Sequence, residues 1–132
     1  MTRGGNGGIL VQFESRHYGN IVVAAPSGRI DHAAAVPFEQ ALTPLLGNVE
    51  AAGLVLDFGG VDYISSIGLR VLMVAAKQMR ARKARIAVAT LQPVVAEIFK
   101  ISRFDAVVEI FPSLRGALGA LSPAARDAYD AG

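Results

Sequence analysis

The chain has 132 residues, 52% of them hydrophobic, no cysteine and a formal net charge of +2. That length and apolar share suit one domain with a real core, and the missing cysteines exclude disulfides, thiolate metal sites and cysteine catalysis. A charge so near neutrality does not mark a nucleic-acid binder, and no run reaches the roughly 18 apolar residues of a membrane span.

In chain order, "MTRGGNGG" (1–8) lacks the apolar stretch of a signal peptide and reads as a flexible Gly-rich arm. With no cysteine present, a cytoplasmic protein is the simplest expectation. "ILVQFES" (9–15) reads as a first strand ended near "HYGN", and "NIVVAAPSG" (20–28) as a second. The short gap between them predicts an antiparallel hairpin. Pro26 has no N–H, so it belongs at that strand's end or at an edge. "AAAVPFEQALTPLLGN" (33–48) has helical spacing at Val36, Leu42, Leu45 and Leu46. Pro37 fits its first turn, and Gly47-Asn48 its stop.

"GLVLDF" (53–58) is a nearly continuous apolar run, the mark of a strand covered on both faces. A helix follows over about 66–83. "ARIAVAT" (84–90) is a buried strand, "PVVAEIFKIS" (93–102) an amphipathic helix, "AVVEIF" (106–111) a strand and "PSLRGALGAL" (112–121) a short helix. "SPAARDAYDAG" (122–132) reads as a loosely held tail, leaving 9–121 as the domain. Strands alternating with helices predict an α/β layer fold, and the opening hairpin makes its sheet mixed.

The stretch "DYISSIGLR" (62–70) sets two serines at the start of a helix. Either hydroxyl can cap the free N–H groups of the first turn. Projected at about 100° per residue, Gly68, Val71, Leu72, Ala75, Ala76 and Met79 form a core face. Ser66, Leu69, Arg70, Met73, Lys77 and Arg80 gather on the other side. Leu69 and Met73, beside a serine, make a partner patch. A phosphate on Ser66 would meet the helix dipole and free N–H groups, with Arg70 at i+4.

Asp57 at a strand end either bonds the loop after it or contacts a partner. Asp31 is either a turn or N-cap residue or a contact to a partner or nucleotide. A phospho-receiver site would need a second early acid and a late lysine, which the chain lacks. A hydrolase elbow would need G-x-S-x-G, but Ile64 stands in the first glycine's place. His17 and His32, the only histidines, read as surface residues and supply no metal centre. "KQMRARKAR" (77–85) carries no aromatic residue for base stacking and reads as the solvated end of a helix.

The segment "LVLDFGGVDYISSIGLRVLMVA" resembles the signature of the STAS domain of bacterial anti-sigma factor antagonists, through Asp57, Gly60, Val61, Ser66, Gly68 and Leu69. "SGRID" (27–31), with Gly28 and Asp31, is similar to an earlier family loop, and "VVAEIFKISRFDAVVEIFPSLRGAL" to its C-terminal part. Ser65 stands where the family usually has Asp, and Ile67 where Ser or Thr is common. The resemblance implies a mixed sheet of about five strands with about four helices, mainly on one face. It implies a non-enzymatic antagonist, without cofactor or metal, that binds an anti-sigma factor, a serine kinase of GHKL type. The kinase phosphorylates Ser66 (Ser65 being the alternative acceptor) and so breaks the complex; a serine phosphatase restores it. Partner contacts are then expected at Asp31, Asp57, Ser65, Ser66, Gly68, Leu69, Arg70 and Met73. Direct nucleic-acid contact and membrane insertion are not expected, and the chain would be a monomer or weak dimer. The other role such domains fill is an unphosphorylated accessory or scaffold module in lipid-transport or sensory complexes.

Overall fold

The computed structural model describes residues 12–132, so the arm expected over 1–8 lies outside the described residues. Strands β1 (Gln12–Tyr18) and β2 (Ile21–Ile30) form the expected antiparallel hairpin, in unbroken register from Gln12 opposite Ser27 to Tyr18 opposite Ile21. The tight turn needs a left-handed residue, and Gly19 supplies it at φ +59°. β1 runs past its predicted end at Ser15 because the polar Arg16-His17-Tyr18 stretch still has β2 to pair with.

β2 reaches Ile30 because it has two successive partners on its other side. Residues Ile21 to Ala24 pair in parallel with β3 (Gly53–Asp57), and Ser27 to Ile30 pair in parallel with β4 (Gly60–Ile64). Pro26, a residue without a donor, stands in the gap between these two ladders. A bulge follows between Gly28 and Arg29, where Gly28 takes φ +94°. β4 is the strand that pattern alone does not reveal. It is short, starts with glycine and buries only Val61 and Ile64 fully.

The remaining elements are α1 (Ala35–Leu46), α2 (Ser66–Ala81), β5 (Arg85–Ala89), α3 (Pro93–Ile101), β6 (Glu109–Phe111), α4 (Leu114–Leu121) and α5 (Pro123–Ala131). Pro37 does sit in the first turn of α1, which stops at Gly47. The six-stranded sheet runs β1-β2-β3-β5-β6, with β4 beside the far half of β2. The strand expected over 106–111 shrinks to three residues, because Phe104–Ala106 forms a 3-10 turn that buries Phe104 edge-on against Phe99.

Alternation along the strands divides the core. Val22, Ala24, Leu54, Leu56, Ile86 and Val88 face α1, α2 and α3; Ile21, Val23, Val55, Ala87 and Ala89 face α4 and α5. The described residues thus hold six strands and five helices, three of them on one face and two on the other.

The segment 122–132 corrects the expectation of a loose tail. Pro123 opens a helix at its first position, and the Ser122 side chain accepts from the Ala125 N–H. Ala125 is fully buried, and the Tyr129 ring meets Tyr18 edge-on at 5.4 Å. Arg115 donates two bonds to Asp130, at 2.9 and 3.0 Å, and holds that carboxyl below its usual range. Tyr129→Ala is expected to lower unfolding stability by about 1–2 kcal/mol in urea denaturation; an unchanged midpoint would mean that α5 is not docked.

Candidate functional site

The parallel pairing of β2 with β4 ends at Ile30 opposite Ile64. Both strands leave the sheet there, and the Ser65 N–H donates to the Ile30 carbonyl at 2.8 Å. This bond holds the start of α2 beside the Asp31 turn. Ser65 is the N-cap: its backbone is extended (φ −84°, ψ 170°), and its Oγ accepts from the Gly68 N–H at 3.1 Å. Its carbonyl accepts the first helical bond, from Leu69 at 2.9 Å.

Ser66 is the first helical residue and is exposed. Among the described hydrogen bonds none involves its Oγ. The two adjacent serines therefore differ in kind: one hydroxyl is engaged in the fold and the other is free. Gly68 explains how α2 comes so close to the sheet. A Cβ there would lie 2.8 Å from the Ile64 side chain and 2.9 Å from that of Ile30. Asp31 accepts from the Ala34 N–H at 3.1 Å, making it the turn residue before α1. Arg29 lies 3.9 Å from Asp31, with its guanidinium 4.4 Å above the Tyr63 ring.

The exposed side of α2 differs from the projected one. Leu69 is 9% exposed and belongs to the core cluster of the α1–α3 face, next to the Gly68 contact where helix and sheet are closest. Met73 is 39% exposed as expected, and two further apolar residues of α2 are exposed, Ile67 at 40% and Val74 at 43%. Sequence reasoning missed both. The signal was the arc itself: Ile67, Arg70, Val74 and Lys77 follow the i, i+3, i+4 spacing of one face. Val71, placed on the core face, is only half-buried.

Asp57 is not brought to this group. Its carboxylate accepts from the Gly59 N–H at 3.0 Å, the loop-bonding role. Four residues of β4, about 13 Å of strand, separate that loop from Ile64. Asp57 instead lines a cavity of about 290 Å³ with Glu14, Tyr18, Leu114 and Tyr129. His17 and His32 are exposed. The basic cluster at the end of α2 is largely structural. Arg80 donates to the Val107 carbonyl, Arg82 to those of Leu46 and Ala51, and Arg85 to Glu109. Among the described residues there is no group of three or more potential metal ligands, and no helix is long and apolar enough to cross a membrane.

The STAS domain family profile matches residues 12–117. The chain belongs to the STAS domain family. It is 35% identical over 104 residues to BtrV of Bordetella bronchiseptica, named as a candidate anti-sigma factor antagonist, covering 79% of this chain and 89% of that one. The crystal structure of an anti-sigma factor antagonist from Mycobacterium paratuberculosis superposes with a TM-score of 0.79 at 22% identity, over 86% of this chain and 96% of the other. The phosphorylated form of the Bacillus cell fate determinant SpoIIAA has the same fold, with a TM-score of 0.65 at 14% identity, over 84% and 100%.

The two serines contribute unequally to stability. Ser65→Ala is expected to destabilise by about 1 kcal/mol through loss of the cap, whereas Ser66→Ala should leave the thermal midpoint unchanged. Equal losses in a calorimetric scan would contradict this division of roles.

Proposed function

We propose that this STAS domain is an anti-sigma factor antagonist, a binding module rather than an enzyme, that acts in the cytoplasm. Unphosphorylated, it docks the start of α2 on an anti-sigma factor, a serine kinase of GHKL type, and so frees the sigma factor for transcription. Phosphorylation of Ser66 ends the complex, and a serine phosphatase renews it. The observation that carries this reading is the free, exposed Ser66 hydroxyl beside a neighbour that already caps the helix.

A phosphate on Ser66 sits at the positive end of α2, where the dipole favours it. It adds roughly −1.5 to −2 charges to a surface flanked by Ile67 and Met73. Docking that buries those side chains would have to desolvate the phosphate as well, which is costly without new partners. The fold itself need not change, because Ser66 Oγ holds nothing in place. The names carried by BtrV and by the Mycobacterium relative support the same partner class.

In a calorimetric titration with the anti-sigma kinase of the same genome, Ser66→Glu should weaken binding at least about tenfold. Ser66→Ala should bind like the parent and accept no phosphate at this site. Equal affinities for parent and Ser66→Glu would overturn the switch.

A further inference from the structure

Helix α2 contains no aspartate or glutamate, yet it carries Arg70, Lys77 and Arg80. Arg80 is engaged with the Val107 carbonyl. Among the described residues, the ion pairs are Arg29–Asp31, Arg85–Glu109 and Arg115–Asp130, so neither Arg70 nor Lys77 has an acidic partner. Both are exposed, and both fall on the arc that contains Ser66. Met73 borders this line on one side, with Ile67 and Val74 on the other.

We infer that Arg70 is the element on which the switch acts: free, it pairs with a carboxylate on an acidic, apolar-seamed protein surface; after phosphorylation, it is captured by the phosphate on Ser66. The inference rests on the docking and phosphorylation reading above and deepens it by naming the partner's chemistry.

The geometry favours the capture. Residues 66 and 70 are one turn apart, with Cβ atoms about 5–6 Å from each other. Helical side chains lean toward the N-terminus, so Arg70 covers the turn that begins with Ser66. A guanidinium matches a phosphate in shape and can donate two parallel bonds to it. Capture changes the arc from two uncompensated cations to about none, given roughly −1.5 to −2 charges on the phosphate. A carboxylate on the partner then loses its counter-charge and faces a phosphate, so the repulsion adds to the desolvation cost.

The arc's composition selects a protein over a polyanion. Two cations give little affinity for an anionic lipid surface or for nucleic acid, since each such contact contributes only about 1 kcal/mol. The apolar seam of Ile67, Met73 and Val74 fits a folded partner that can bury it.

The test has two arms. In the first, phosphoserine is placed at position 66 by codon reassignment and titrated by ³¹P NMR. The phosphate of the parent should titrate about half a unit lower than that of Arg70→Gln; coincident midpoints would overturn the capture. In the second, unphosphorylated parent, Arg70→Gln and Arg70→Glu are titrated with the anti-sigma kinase at rising salt. The expected result is about a tenfold loss for Arg70→Gln, a larger one for Arg70→Glu, and parent affinity that falls with salt. Unchanged affinity for Arg70→Gln would overturn the acidic partner. Arg70-dependent binding to phosphatidylserine vesicles without the kinase would replace the protein surface by a membrane. The two levels separate cleanly. If phosphoserine-66 protein binds the kinase as well as the unmodified chain, the switch itself fails. If it is released while Arg70→Gln binds normally, the role of Arg70 alone fails.

Discussion

The hydrogen bond from the Ser65 N–H to the Ile30 carbonyl organises the end of this molecule at which two chain segments leave the sheet. It exists because β2 changes partner part-way along: its first half pairs with β3 and its second with β4. Without the second pairing, the Asp31 turn and the start of α2 would belong to unconnected loops. Three devices keep the pairing possible. Pro26 sits where neither ladder needs its missing N–H, Gly28 supplies the positive φ of the bulge, and Gly68 lets α2 descend onto Ile30 and Ile64. A surface built on strand ends and a helix start is held by sheet and helix hydrogen bonds, which suits the proposed module that keeps one shape and changes only its charge.

Adjacent serines at a helix start allow stability and signalling to be separated. A capping hydroxyl that is also a phosphate acceptor would couple modification to unfolding of the first turn, since the modified oxygen would leave the Gly68 N–H. Here Ser65 holds that N–H and Ser66 holds nothing. A carboxylate at position 65 would cap as well, and would also place a negative charge next to the acceptor. With a neutral serine there, the proposed phosphate on Ser66 would be the first negative charge of this turn, with Arg70 one turn away to meet it.

Much of the fold was legible because it rests on periodicity. The apolar runs of β3 and β5, the amphipathic spacing of α2 and α3, the stop at Gly47 and the start at Pro93 all agree with the observed elements. β4 was not legible, since its stability comes from pairing with β2 rather than from its own five residues. α5 was not legible either: its mean composition is polar, and its docking depends on Ala125, on Tyr129 against Tyr18 and on Arg115 to Asp130, contacts distant in sequence. At the site, helical spacing located Ser66, Arg70 and Met73. It misjudged Leu69, because a residue on the flank of a helix is buried or exposed according to neighbours that periodicity does not encode.

The most direct test of the account is to incubate the folded protein with ATP and each GHKL-type kinase of the same genome, then measure intact mass and map the modified residue. A gain of one phosphate located on Ser66, with Ser65 unmodified, is the expected result. A folded chain that takes no phosphate from any of these kinases, or takes it only on Ser65, would contradict the central claim and leave a STAS module that works as a scaffold.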